Sequence, residues 1–150
     1  MKAVRLITAL IFFCLCIIAG CSTRIPLADA KAVLKSHEQF SKEGNLENIL
    51  SNFADDVVLL APGMPLLKGK DACRNFYAGM LKMGKTEFTH EYDGAEIVRD
   101  LVILHGTAKG TMTMSDSKVI QLANNFIITV KYPSDGRMKI WRGAFAPSGQ

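Results

Sequence analysis

FADDVVLLAPGMPLLKGKDACRNFYAGML, residues 53 to 81, is the stretch from which the rest of the chain can be placed. A helix is expected to end at its start, because Phe53 and Ala54 are apolar while Asp55 and Asp56 form turns more readily than helix. At a helix exit these two carboxylates read as caps on a solvated turn rather than as a proton-sharing pair. Residues 57 to 61 are all aliphatic, which suits a strand covered on both faces or the inner edge of a cone. Pro62, Gly63 and Pro65 punctuate the chain, Leu66 and Leu67 form a short extended piece, and Gly69 opens a helix with Asp71 near its N-terminus. That helix sets Ala72, Phe76, Met80 and Met83 on one side, with Cys73 and Tyr77 beside them. A helix, two small strands and another helix thus enclose one apolar space that the remaining chain must close.

Upstream, Asp29 is expected to cap a helix whose Ala30, Val33, Leu34, His37, Phe40 and Ser41 recur at helical spacing, so its inner stripe carries a histidine. Gly44 stops it, Asn45 caps the next, and Leu46, Ile49, Leu50 and Phe53 make a second short amphipathic helix. Downstream the period changes to two. Residues 87 to 98 alternate Phe88, His90 and Tyr92 against Glu87, Thr89, Glu91 and Asp93, with an interruption at Asp93-Gly94. Residues 101 to 114, 119 to 132 and 138 to 145 follow as strands, separated by turns at Ser115-Asp116-Ser117 and at residues 133 to 136. Three N-terminal helices followed by a meander of four long antiparallel strands is an α+β order. A twisted sheet wrapped around helices leaves a funnel-shaped hollow, so the order of elements implies a pocket.

The chain of 150 residues has the size of one domain. Its formal charge of +4 falls to +2, sixteen basic against fourteen acidic side chains, once Lys2 and Arg5 are set aside with the segment that holds them. That charge is too small, and its lysines too scattered, for a nucleic-acid partner. Of the four cysteines, Cys14 and Cys16 lie in the same N-terminal segment, Cys21 follows it, and only Cys73 belongs to the folded part, as a small buried residue without a disulfide partner.

Residues 1 to 20 resemble a bacterial lipoprotein signal peptide. Lys2 and Arg5 make a positive start, residues 6 to 18 are nearly all apolar, and Ile18-Ala19-Gly20 sets small residues before Cys21. The apolar run is shorter than the ~20 residues of a spanning helix. The resemblance implies that the Cys21 thiol takes a diacylglycerol and that its freed amine takes a further chain such as palmitate. Two or three chains anchor durably at ~0.8 kcal/mol per buried CH₂. The expected partner is then a lipid bilayer, reached through a tether over residues 21 to 27. The expected location is the cell envelope, facing the periplasm from the outer membrane where the host has two membranes, since Ser22 rather than Asp follows Cys21.

Gly44-Asn45-Leu46-Glu47, Phe53-Ala54-Asp55-Asp56-Val57, Pro62-Gly63, Gly69-Lys70-Asp71-Ala72, Phe76-Tyr77, Asp135-Gly136-Arg137 and Ile140-Trp141-Arg142, in that order and spacing, resemble the nuclear transport factor 2-like superfamily. Within it, residues 28 to 146 are most similar to the SnoaL-like and ketosteroid-isomerase-like branch. The resemblance implies a conical barrel, a curved antiparallel sheet wrapped around three helices, often dimeric through the outer face of the sheet. It also implies no cofactor. Ketosteroid isomerases of this kind use an aspartate base just before a proline, with a tyrosine and a protonated aspartic acid as oxyanion donors. In this chain those positions correspond to Ala61, His37 and Asn124, with Tyr77 where a supporting tyrosine often stands. The carboxylate base is missing, so steroid isomerisation by that route is not expected.

The same resemblance implies an imidazole, a phenol and an amide, from His37, Tyr77 and Asn124, in an apolar cavity lined by Ala61, Met112, Phe126, Trp141 and Phe145. Three functions are open. One is a binding module for a small apolar or aromatic molecule. A second is an isomerase- or dehydratase-like enzyme with His37 as base. The third is an interaction or assembly module using Thr107, Lys109, Thr111, Gln121, Thr129 and Lys131 on the outer face of the sheet. A metal site from His90 and His105 with Glu91, Asp93 or Asp100 matches no familiar ligand spacing.

Overall fold

The computed structural model describes residues 27–132 and 136–149. The signal segment, Cys21, most of the expected tether and residues 133 to 135 of the expected turn lie outside them. Helix α1 spans Leu27–Glu43 and α2 spans Leu46–Ser51; β1 (Phe53–Leu60) and β2 (Leu67–Lys68) follow, then α3 (Gly69–Met83). Four long strands complete the domain: β3 (Gly84–Val98), β4 (Leu101–Met114), β5 (Val119–Lys131) and β6 (Lys139–Pro147). No helix among the described residues is long and apolar enough to cross a membrane.

Local chemistry explains most of these boundaries. Gly44 takes φ +69, and the Gly44 and Asn45 amides bond back to the Ser41 and Phe40 carbonyls, so α1 ends in a left-handed cap. The Asn45 side chain then accepts the Asn48 amide at 3.1 Å and starts α2. Helix α1 begins at Leu27, inside the expected tether, and Asp29 sits within its first turn, where a carboxylate meets the unpaired amides, rather than at the cap. Strand β3 begins three residues earlier than its alternation suggests, at Gly84, and the last strand, expected over 138 to 145, spans Lys139–Pro147.

The six strands form one mixed sheet in the order β2-β1-β6-β5-β4-β3. The expected meander is present in β3 to β6, but β1 joins β6 in parallel, and β2 and β3 remain as edges. The sheet is therefore open and does not close into a barrel. Nor are all three helices N-terminal to the sheet, since α3 comes after β1 and β2. Leu34 of α1 and Ile49 of α2 join Phe53, Val57, Leu104, Val130 and Ile140 of the strands in one buried core.

The turn expected at Asp55 and Asp56 is not formed, and of the two readings of residues 57 to 61 coverage on both faces fails. Asp55 and Asp56 lie within β1 rather than in a turn. Opposite β6, the register jumps from Phe53 at Ile140 to Val58 at Arg142, and this bulge turns both carboxylates outward. Outside, Asp55 meets Lys70 at 2.8 Å, and Asp56 meets Lys131 at 2.6 Å and the Trp141 indole N–H at 2.8 Å. Hydrogen bonds from Lys131 and Trp141 hold the Asp56 carboxyl at a pKa of about 2. The second half of β1 is covered on one face only, for Leu60 is 47% exposed while Leu59 is buried.

The β3–β4 ladder breaks register between Tyr92 and Gly94, which leaves Asp93 as the extra residue at the expected interruption. Further along the ladder, a Cβ placed on Gly110 would stand 2.0 Å from the Glu87 carbonyl oxygen. Gly110→Ala should therefore cost about 1–3 kcal/mol by overpacking, seen as a lower urea midpoint with an unchanged slope.

Candidate functional site

Period-two alternation points Phe88 and His90 of β3, Ala108 of β4, and Leu122, Asn124 and Ile128 of β5 toward the helices. Leu34 and His37 on α1, and Phe76, Tyr77 and Met80 on α3, face them. Between these walls lies a cavity of ≈ 220 Å³, completed by Leu59, Ala61 and Pro62 at the end of β1 and by Phe145 on β6. Its surface is largely apolar, and its polar groups fall into two clusters, the amide of Asn124 and the hydroxyl of Thr86.

The first cluster is His37 and Tyr77. Helix α1 buries His37 against Phe53, Tyr77 and Phe88, with ring centroids 5.3, 5.4 and 5.9 Å away. Its Nε2 lies 3.1 Å from the Tyr77 hydroxyl, and its Nδ1 is buried without a partner among the described residues. A bare ring lone pair is tolerated in such a place more readily than an unpaired N–H. The tautomer assigned on that ground has Nε2–H donating to the Tyr77 oxygen, which leaves the phenol O–H to donate elsewhere. Burial, with His90 nearby, pulls the His37 pKa down to about 3 against a smaller opposing effect of Glu38. Burial pushes the Tyr77 hydroxyl up, and Cys73 adds to that. The pair is thus a neutral imidazole behind a protonated phenol.

The second cluster was not foreseen. Glu38 is buried between α1 and β3, where its Oε1 accepts the His90 backbone N–H at 2.8 Å and pairs with His90 Nδ1 at 2.9 Å. Its Oε2 accepts Lys35 Nζ at 2.9 Å. Burial alone would raise the Glu38 carboxyl, but the bonds from Lys35 and His90 outweigh it and hold it below the ordinary range. For His90 burial wins over the attraction of Glu38, so the imidazole pKa is lowered and the ring is neutral at pH 7. A carboxylate at Nδ1 fixes the proton there. Nε2 is left with its lone pair on a ring that lines the cavity.

Of the residues expected at the site, His37, Ala61, Tyr77, Asn124 and Phe145 line this cavity. Met112, Phe126 and Trp141 do not. Met112 is buried deeper along β4, opposite Thr86 and Ile120. Phe126 stands edge-on to His90, 5.0 Å between centroids, and props that ring from outside the cavity. Trp141 is the extra residue where β5 pairs Val130 with Ile140 and Thr129 with Arg142. The bulge aims its indole at Asp56, and Arg142 stacks 3.9 Å over its ring.

His90 and His105 fall on opposite faces of the sheet, and Glu91 on β3 points outward to Lys109 at 2.6 Å, so that candidate metal set is not brought together. Cys73 is fully buried, and burial raises its thiol to about 11, which makes it packing rather than a nucleophile. One sequence signal for Glu38 existed: it lies four residues after Leu34 and three before Ser41, inside the buried stripe of α1.

Residues 34–142 match the family model described as the SnoaL-like domain, and the chain belongs to that family. No curated protein matches the chain. Among solved structures, a ketosteroid isomerase-like protein from Erwinia carotovora superposes with a TM-score of 0.75 at 18% identity, over 85% of this chain and 99% of the other. A candidate scytalone dehydratase from Novosphingobium aromaticivorans gives 0.76 at 14% identity, covering 85% and 87%. A nuclear transport factor 2-like protein from Salmonella enterica gives 0.74 at 9%, covering 82% and 91%. At these identities the likeness is one of fold.

The state of His37 has a consequence for stability. Its folded pKa of about 3 lies below the unfolded 6.5, so folding favours the neutral ring. The stability this gives is complete above pH 6.5 and falls as pH drops toward 3, by up to about 1.4 kcal/mol per pH unit. Urea unfolding of His37→Gln should show a shallower loss of stability than the parent between pH 6.5 and 4.

Proposed function

We propose that the cavity binds a small apolar or aromatic molecule, and that the domain is carried on a lipoprotein anchored through acylated Cys21 to the bacterial cell envelope. The observation that carries the binding reading is the ≈ 220 Å³ hollow, with apolar walls and a few inward polar groups. A cavity of roughly 150 Å³ is enough to hold benzene, so the guest has the size of one or two fused rings with an oxygen or nitrogen function. Tyr77 and Asn124 are placed to donate to that function. Ala61 sets a methyl group where similar isomerases place a carboxylate base, which suits retention of the guest by this wall rather than attack on it.

The enzyme reading with His37 as base is less well supported, because burial lowers its pKa to about 3, which makes the ring a weak base, and its Nε2 is committed to Tyr77. Self-association through the outer face of the sheet is a further part of the proposal. Ile127 is 58% exposed there, and its ladder partners His105 and Ala144 share its face. Of the polar residues expected on this surface, Lys109 and Lys131 are already paired with Glu91 and Asp56.

Native mass spectrometry of the protein purified from its own host tests the guest. A small molecule should be retained by the parent and lost from Leu122→Trp, whose indole fills the hollow; a parent that carries nothing, together with a crystal structure whose hollow is packed by its own side chains, rejects the reading. The anchor is tested by labelled palmitate, which should enter the parent chain and not Cys21→Ser.

A further inference from the structure

We infer that the domain stands on its anchoring bilayer through one end, where the tip of the β3–β4 hairpin and Tyr132 enter the lipid interface, with the mouth of the cavity facing away from the membrane. This rests on the lipoprotein anchor at Cys21 and adds to it a lipid-binding surface and an orientation.

The direction of α1 locates that end. Lys42 pairs with Glu87 at 3.2 Å, Glu38 accepts the His90 amide at 2.8 Å, and Lys31 lies 4.7 Å over the Tyr92 ring. Helix α1 therefore runs antiparallel to β3, and its first residue, Leu27, lies toward the end where β3 finishes at Val98. The start of β4 and the end of β5 meet there. Leu101 pairs with Val98 on one side and Lys131 on the other, and the Tyr132 amide bonds to the Asp100 carbonyl. Asp29 and Val33 of α1 share a groove with Tyr132 and Met138.

Ile97, Val98 and Tyr132 stand open at this end, 51, 47 and 41% exposed. Neighbours on a strand point to opposite faces, so the exposure of both Ile97 and Val98 means that the tip projects beyond the body of the sheet. Arg99 turns the tip at φ +56, a conformation that glycine or asparagine adopts at less cost. A long cation there can reach lipid head groups while its two β-branched neighbours enter the acyl boundary, and a tyrosine beside them suits the same depth. Acidic Asp29, Glu96 and Asp100 stand among basic Lys31, Arg99 and Arg137. The end thus has no excess of one sign, and the lipid interface fits it better than a strongly anionic surface.

Chain length selects this end over the other. Leu27 is the sixth residue after Cys21, and a chain of that length spans at most about 20 Å. A bilayer holding acylated Cys21 therefore lies within that distance of Leu27. The opposite end also exposes apolar side chains, Met64 and Met83, beside the cavity mouth at Pro62 and Met80. All 17 residues of α1, about 25 Å of helix, separate Leu27 from that end, where Gly44 approaches Leu81. A bilayer touching the mouth end-on would be further from Leu27 than the tether reaches. The hairpin tip, by contrast, is held at the lipid surface at high effective concentration, so a few apolar side chains suffice to engage it.

The test uses the acylated chain in phosphatidylcholine vesicles. Val98→Cys, Tyr132→Cys and Met83→Cys, made singly, each take a polarity-sensitive dye, while Cys73, buried with its thiol raised to about 11, stays unlabelled. At positions 98 and 132 the emission should shift to shorter wavelength and be quenched by lipids that carry a nitroxide near the head group. Both effects should be the same in low and high salt. At position 83 neither should occur. Adding Ile97→Asp should abolish the shift and the quenching at both tip positions while the chain stays acylated. Two label positions on exposed residues keep the result from depending on the folding of one variant.

An acylated chain whose tip labels stay in water, or whose label at position 83 is quenched, overturns the footing and leaves the anchor in place. A tip label that shifts but escapes the nitroxide lipids is covered by a second copy or another protein, which also overturns it. A purified chain whose mass carries no acyl group removes the anchor and this inference together.

Discussion

A carboxylate removed from water between a helix and a sheet is tolerated only when its oxygens are matched by donors, and Glu38 is matched by three. Two of those donors belong to His90 on β3, so the constraint is directional as well as energetic. It fixes the rotation of α1 about its own axis and its position along the sheet. With that rotation set, helical geometry determines where neighbouring side chains point: Leu34, one turn back, and His37, one residue earlier, face the hollow. Removing one partner of this buried cluster would leave an uncompensated charge, so the helix and the strand hold each other in one arrangement.

The hollow persists because the sheet bends away from the helices and small residues line part of it. Bulges at Asp93 and Trp141 and the register jump in β1 interrupt the ladders and increase local twist. Ala61 and Ala108 leave volume that larger side chains would fill. At Gly143 a Cβ would meet the end of the Leu59 side chain at 2.9 Å, so side chains pack closely over that part of β6. Tight packing around the rim and open space at the centre belong to the same fold, as in other proteins where a pocket is preformed.

The two inward histidines show how burial and one neighbour divide a shared chemistry. Both are pulled toward the neutral state, but His37 faces a phenol and aromatic rings, whereas His90 faces a carboxylate. A phenol partner leaves one ring nitrogen of His37 stranded; a carboxylate partner orients His90 and frees its other nitrogen toward the cavity. Membership of the SnoaL-like family and a fold shared with proteins of several names fix the scaffold, and a scaffold of this type carries unrelated chemistries. What distinguishes this chain is the residues on the inner face.

Local pattern was enough for much of the architecture. The glycine and asparagine at 44 and 45, the Pro-Gly-Pro punctuation before α3, and the strict alternation of β3 are short-range signals whose physics acts within a few residues, and His37, Tyr77 and Asn124 could be placed inward from them and from a family likeness. The burial of Glu38 could not, because a glutamate on a helix stripe is compatible with solvent until a strand fifty residues away offers two donors. Trp141 and the Asp55-Asp56 pair escape such local signals for a related reason: residues inserted in a ladder, one at Trp141 and three in β1, change which face a side chain occupies, and the insertion is set by the register of the partner strand. The sequence by itself determined the elements, their order and the apolar faces that had to meet. Only the tertiary structure decided which polar groups met inside, since a buried charge is placed by what lies across from it rather than by its neighbours along the chain.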